Sequence, residues 1–99
     1  MTNDSGSDAG RNRFDLEERT ALFGEAIVRF AKRVPVNEVT RDLIGQLVRA
    51  ATSVGGNYCE ADGAGTRKEF RSRISVCKRE SRESGFQIRM IVAAEPQLR

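Results

Sequence analysis

The chain has 99 residues, which suffices for one domain. Its 17 basic and 14 acidic residues give a net charge of +3, and it has two cysteines and no histidine. Cys59 and Cys77 without a histidine make a poor zinc site, and a nucleophile would lack its most common base. We therefore expect no enzyme activity, no catalytic residues, no metal, no cofactor and no small-molecule substrate.

The chain does not open with the apolar segment of a secretory signal peptide, and no apolar run approaches the length of a membrane span. We therefore expect a cytoplasmic protein with no membrane partner. Cys59 and Cys77 fall inside helical patterns, where cysteine usually behaves as a small buried hydrophobic residue. We expect both to be free thiols in a reducing compartment.

The first segment, residues 1–13, is polar and almost free of apolar side chains. Such a segment cannot offset its ordering entropy by burial, so we predict a disordered tail. Residues 14–99 then form one helical bundle domain. A domain of this size buries only about 60 % of its unfolded surface, which makes self-association a natural source of further stability.

Apolar residues recur with alternating steps of four and three, which is typical of helices that pack along one stripe. The first predicted helix covers residues 15–33; Asp15 with Glu18 fits a capping box at its start, and Pro35 ends it. Its stripe consists of Leu16, Thr20, Phe23, Ile27, Phe30 and Val34.

The second predicted helix covers residues 40–62, with Thr40 as its N-cap and Gly63 and Gly65 after its end. A second apolar line beside the first predicts contact with two neighbouring helices. The glycines of the run 53–57 indicate close approach by a neighbour, or alternatively a local kink. The two lines are Leu43, Leu47, Ala50, Val54, Asn57, Ala61, and Ile44, Val48, Ala51, Gly55, Tyr58.

The third predicted helix covers residues 67–94. A capping box formed by Thr66 and Glu69 begins it, and Pro96 ends it. Short connections predict antiparallel neighbours, so the fold class is an all-α, up-down bundle of three helices. Asn57, Ser81 and Ser84 lie in the stripes, where they set register or allow close approach rather than bind a ligand. The stripe of the third helix is Phe70, Ile74, Cys77, Ser81, Ser84, Ile88 and Ile91.

The third helix also carries a row of cations. At 100° per residue, Arg71, Lys78, Arg82 and Arg89 share one side of the helix, Arg67 lies next to them, and its acids point elsewhere. Like charges at such spacing repel one another, which an anionic partner would relieve. Nucleic-acid phosphates fit this row, but so do acids of a neighbouring helix or subunit, and so does a simple solvated face.

Three runs resemble the four-helix bundle protein family, whose members are also called 23S ribosomal RNA intervening-sequence proteins. The resemblance covers roughly residues 14–96. The runs are DLEERT at 15–20, QLVRAATSVGGNYCEA at 46–61, the most specific, and KEF at 68–70 leading into CKRESRE at 77–83.

The resemblance implies an up-down bundle that assembles as a homopentamer, without catalytic residues to carry over. It also implies nucleic-acid binding through a basic surface, as in related accessory proteins of diversity-generating retroelements. The family usually continues past the position of Pro96 into a fourth amphipathic helix. We expect either that the chain is truncated or that its three helices hide their apolar seam by self-association.

The favoured hypothesis is a non-enzymatic, oligomeric bundle that binds RNA or DNA through Arg67, Arg71, Lys78, Arg82 and Arg89. One alternative is a protein-interaction scaffold, in which an open apolar groove receives a partner's amphipathic helix. Another is a truncated family member with no independent activity.

Overall fold

The computed structural model describes the backbone of residues 5–99 and the side chains of residues 15–99. Three α-helices account for most of it: α1, Ser5–Arg33, α2, Thr40–Asp62, and α3, Arg67–Ala94. A short 3-10 helix, η1, Pro96–Leu98, follows α3. The part of the chain that is described contains no strand. The predicted all-α fold with three helices is therefore confirmed.

The helices run antiparallel and lie side by side in a single layer. Leu16 near the middle of α1, Ala61 at the end of α2 and Phe70 at the start of α3 line one groove. At the other end of the layer, Asn37 before α2 donates to Glu95 after α3, 3.3 Å away. α2 packs closely against both neighbours, whereas no Cα atom of α1 lies within 8 Å of one of α3 among the described residues.

The dimensions of the fold show how open this layer is. Its principal extents are 50 × 32 × 15 Å. A helix with its side chains is about 10–12 Å in diameter, so the smallest extent is that of one layer of helices. Stable domains usually bury the apolar side of one layer against a second layer. The three helices supply one layer only, so neither of its faces has a covering layer within the described residues. The face on which Leu16 and Phe70 are exposed is named the open face.

The core lies along α2, between the two outer helices. Leu47 and Ala51 on α2 and Ile91 on α3 have no exposed surface, and Ile27 of α1 is 7 % exposed. Partly buried apolar side chains surround this cluster: Phe23, Phe30, Leu43, Ile44, Ile88 and Leu98. The two apolar lines of α2 therefore contact two neighbours, as its wide apolar face predicts.

α1 packs over Gly55, one of the two glycines in the run 53–57 of α2. A Cβ atom on Gly55 would lie 3.5 Å from the Thr20 hydroxyl oxygen, an ordinary van der Waals distance. Gly56 has nothing within 4 Å of such an atom. Both positions therefore have room for a Cβ atom, and the predicted close approach that would require glycine in the run 53–57 is found at neither.

The start of α3 is held by the predicted capping box. The Glu69 backbone N–H donates to the Thr66 hydroxyl at 3.1 Å. The Glu69 carboxylate accepts from the Gly65 N–H at 3.0 Å. Because the first turn of a helix leaves its N–H groups without intrahelical partners, both bonds stabilise the start of α3.

Replacing Thr66 by alanine should lower the free energy of unfolding by about 1 kcal/mol, because the N-cap oxygen is lost. Urea denaturation followed by circular dichroism measures this. Thr52→Ala is the matched control, since the Thr52 hydroxyl bonds back to the Val48 and Arg49 carbonyls in mid-helix, at 2.8 and 3.3 Å. That control should be neutral or slightly stabilising. Equal losses in both variants would contradict the capping role.

The start of α2 differs from the prediction that Thr40 is its N-cap. The Asn37 side-chain oxygen accepts from the N–H groups of Val39, at 2.8 Å, and Thr40, at 3.0 Å. The buried Thr40 hydroxyl instead donates to the Pro35 carbonyl at 2.6 Å. An amide two or three residues ahead of a helix caps it as well as a hydroxyl does.

The start of α1 also differs from the prediction. The helix begins at Ser5, so the predicted capping box at Asp15 and Glu18 is wrong. Asp15 lies inside the helix and forms an i, i+4 ion pair with Arg19 at 3.0 Å. The predicted disordered tail over residues 1–13 includes residues outside the described part and stays a prediction.

The side of α3 that faces α2 is more polar than predicted. Gln87 is 4 % exposed and donates to the Gln46 side chain across the interface at 3.0 Å. Arg73 donates to Asn57 at 3.2 Å. The predicted stripe residues Phe70 and Ser81 are exposed, whereas Ser84 and Ile91 are buried as predicted. Part of the predicted stripe therefore borders the open face instead of α2.

Candidate nucleic-acid interface

The cation row lies on α3 as one exposed strip. Arg71, Lys78, Arg82 and Arg89 lie roughly opposite the α2-facing positions Ser84 and Ile91. α3 is an outer helix, so the row occupies the outer edge of the layer. Arg67 is the first residue of α3 and lies at the end of the strip. All five cations are exposed.

None of the five cations has a carboxylate of the described residues within 4.0 Å. Other cations of α3 do have acidic neighbours. Arg73 lies 3.9 Å from the Glu60 carboxylate, and Arg79 lies 3.6 Å from that of Glu80. Within one chain, therefore, no described acid of another helix neutralises the row. Of the sequence-based alternatives, an anionic ligand, another subunit and a solvated face remain.

The row is long enough to follow a polyanion. Arg67 and Arg89 are both in α3, so at about 1.5 Å per residue they are roughly 33 Å apart along the axis. A shallow groove of about 250 Å³ runs beside the first half of the row. Phe70 and Ile74 form its apolar side, and Arg71 and Lys78 its basic side.

One aromatic side chain next to the row is absent from the set of site residues that the sequence predicted. Phe86 is 55 % exposed, the highest exposure among the described aromatic residues of α3. It follows Arg82 by four positions and precedes Arg89 by three, so it is a helical neighbour of both. This spacing is the sequence signal that could have added Phe86 to the predicted site, because it places an aromatic ring among cations.

The open face of the layer carries an apolar groove of about 500 Å³. Leu16, Ala61, Phe70 and Ile74 are among its lining residues. Leu16 and Phe70 are 45 % and 44 % exposed, which is high for large apolar side chains at predicted stripe positions. This is the open groove that the sequence analysis anticipated for a three-helix chain.

The two thiols lie in different environments, and both are free. Cys59 is exposed, so its predicted burial is wrong; it lines a second groove, between α1 and α2 on the opposite face. Cys77 is partly buried and donates to the Val54 carbonyl at 3.4 Å. Burial raises the pKa of the Cys77 thiol, and a hydrogen bond from the Cys77 backbone to the sulfur, which favours the thiolate, opposes part of that rise. Cys77 therefore forms less thiolate at a given pH than an ordinary cysteine.

Within the described residues, no group of three or more histidine, cysteine, aspartate or glutamate side chains is placed to hold a metal ion. The search of the described helices likewise finds none whose length and hydropathy would suit a membrane crossing.

The fold and the candidate site together define an all-α helical-bundle protein with an exposed basic edge and an open face that carries an apolar groove. No protein-family model matches the chain, and neither a curated protein nor a solved structure matches it.

Proposed function

We propose that this protein is a non-enzymatic, self-associating helical bundle that binds RNA or DNA through Arg67, Arg71, Lys78, Arg82 and Arg89. The observation that carries the proposal is the row itself: exposed cations on one edge, without an acidic partner among the described residues. The resemblance to 23S ribosomal RNA intervening-sequence proteins supports the same function.

Electrostatics favours a polyanionic ligand for this edge. Arg67 and Arg71, like Lys78 and Arg82, are i, i+4 pairs of like charge, which destabilise a helix slightly. Phosphates bound along the row would relieve this repulsion and release counterions into the solvent. Contacts of this kind position a nucleic acid without reading its sequence.

The open face supports the self-association. We assign it to a second copy of the same chain, because the outline of 50 × 32 Å encloses about 1,600 Å². A stable interface needs about 800 Å² from each partner, and this outline, polar and apolar parts together, is large enough to contain one. Leu16 and Phe70 would be buried in the contact. The resemblance extends this assembly to a pentamer.

The same face supports a second candidate function. A groove of about 500 Å³ with exposed leucine and phenylalanine side chains suits the apolar side of a partner's amphipathic helix. In that case the protein would be a scaffold, and the chain would stay monomeric until the partner binds.

Light scattering of the purified chain, with and without an RNA oligonucleotide, tests the proposal. Alone, the chain should have a mass of at least twice the 11.0 kDa of one copy. Added RNA should raise the mass further at low salt. With about four single-strand phosphate contacts, the slope of log affinity against log salt should be about −3.

Two leucines of α1 provide a matched pair for the assembly. Leu16→Asp should reduce the mass to that of a monomer, because Leu16 lines the open face. Leu22→Asp should not, although Leu22 is 48 % exposed, because it does not line that groove. A monomer in the unmodified chain would favour the scaffold, and unchanged scattering with RNA at low salt would exclude nucleic-acid binding.

A further inference from the structure

Phe86 has an unusual combination of exposure and neighbours. Its side chain is 55 % exposed, although burying a phenylalanine side chain normally stabilises a protein. The other exposed phenylalanine of the described residues, Phe70, borders the open apolar groove. Phe86 lies about 160° around α3 from Phe70, so a copy that covers that groove would leave Phe86 accessible.

Two of the four helical neighbours of Phe86 are cations of the row; the other two are Met90 and Glu83, whose carboxylate accepts from the Gln87 side chain at 2.9 Å. Arg82 is four residues before Phe86 and Arg89 three residues after it, distances at which Cβ atoms on a helix are about 5–6 Å apart. Of the described cations, the one that lies over an aromatic ring is Arg33, 5.7 Å from the centre of the Phe30 ring. The faces of the Phe86 ring are therefore not occupied by a described cation.

An exposed ring between phosphate-binding cations is the arrangement by which proteins bind single strands. Unpaired bases stack on the ring while the backbone follows the positive charges. The bases of a duplex are already stacked inside the helix and offer the ring only their edges. We propose that the ligand of the row is single-stranded nucleic acid and that Phe86 stacks on one of its bases. This inference rests on the proposed function.

Single-strand preference follows directly from the stacking. Stacking of one base on an aromatic side chain is worth about tenfold or more in affinity, and it depends little on base identity. The duplex receives only the contribution of the cations. The protein should therefore bind a single strand about tenfold more tightly than a duplex of the same length, with little sequence preference.

The test uses the absence of tryptophan from the chain. Phe86→Trp introduces a lone indole whose fluorescence should be quenched when a base stacks on it. The probes are a DNA and an RNA oligonucleotide of one sequence, each as a single strand and as a duplex, at fixed salt. We expect strong quenching with the single strands and little with the duplexes. Leu22→Trp, on α1 away from the row, should show none with either.

Phe86→Leu measures the energetic contribution of the ring. It keeps an apolar side chain but removes the aromatic face, so single-strand affinity should fall about tenfold while the dependence on salt stays the same. Because Phe86 is more than half exposed, the variant should unfold at the same urea concentration as the parent chain.

The outcomes separate this inference from the proposed function. Equal affinity for single strands and duplexes, with no effect of Phe86→Leu, would overturn the stacking but leave a basic nucleic-acid surface in place. Binding of neither probe at low salt would overturn both. Quenching with the duplexes alone would also overturn the inference and would place the row along a double helix.

Discussion

Replacing Leu47 by alanine is expected to lower the free energy of unfolding by about 3 kcal/mol, because a large buried side chain is removed from the middle of the core. Leu47 has no exposed surface and lies on α2, the helix that contacts both neighbours. It belongs to the same buried cluster as Ile27 of α1 and Ile91 of α3. A cavity at this point therefore weakens the whole layer.

The expected loss is large relative to the total. Domains are stable by only about 5–15 kcal/mol, and a small one lies near the lower limit. Urea denaturation at several protein concentrations measures the change and reveals any contribution of self-association. Leu22→Ala is the control, because Leu22 is 48 % exposed and should cost about 0.5 kcal/mol. A comparable loss in both variants would show that the core is not where the structure places it.

The end of α1 and the bounds of α2 and α3 were predictable from the sequence, because residues close to each helix end determine them. Proline lacks the N–H and fixes φ, so Pro35 and Pro96 end the preceding helices wherever they pack. The capping residues Thr66 and Glu69 act within a single turn. Such signals involve residues a few positions apart, and tertiary contacts hardly change them.

The face of α3 that contacts α2 was not predictable in the same way. The sequence pattern placed Phe70 and Ser81 at the interface, whereas the structure places Arg73 and Gln87 there. Apolar spacing reports which side of a helix should be buried, but not which neighbour buries it. In a layer where α3 has a single neighbour in its own chain, part of its apolar side is left at the open face.

The start of α1 shows a further limit of sequence signals. Asp15 three residues before Glu18 is the pattern of a capping box, but it is equally compatible with a helix interior. There the Asp15 carboxylate pairs with Arg19 instead. The pattern fixes the start of a helix only when the preceding residues cannot continue it.

The cation row was predicted as a set, since the period of the helix alone decides which residues share a side. The lack of acidic partners for the row was not predictable, because it depends on which faces of α1 and α2 lie near α3. Phe86 was not included, because sequence spacing alone does not distinguish an exposed ring from one that a second helix covers. Its 55 % exposure is what distinguishes them.

Neutralising four members of the row is expected to have the largest effect on binding. Arg71→Gln, Lys78→Gln, Arg82→Gln and Arg89→Gln in one chain should weaken nucleic-acid binding about a hundredfold or more at low salt. The slope of log affinity against log salt should shrink to about −0.7, because each lost phosphate contact removes about 0.7 from it on a single strand and Arg67 is left in place. Fluorescence anisotropy of a labelled oligonucleotide over a salt series measures both quantities.

The fold should tolerate this change. Glutamine is a good helix former, the replaced side chains are exposed, and repulsion along α3 decreases. Circular dichroism should show the same helix content and an equal or slightly higher stability. A loss of binding without a loss of structure then identifies the row as the binding surface.

A second set of four cations separates local contacts from overall charge. Glutamine at the exposed positions Arg29, Lys32, Arg33 and Arg41 lowers the net charge by the same amount, but these residues lie on α1 and at the start of α2. If net charge governs binding, both quadruple variants lose affinity equally. If the outer edge of α3 holds the phosphates, only the first variant loses most of the salt slope. The three control cations of α1 lie within about one turn, whereas the cations of α3 extend over several turns.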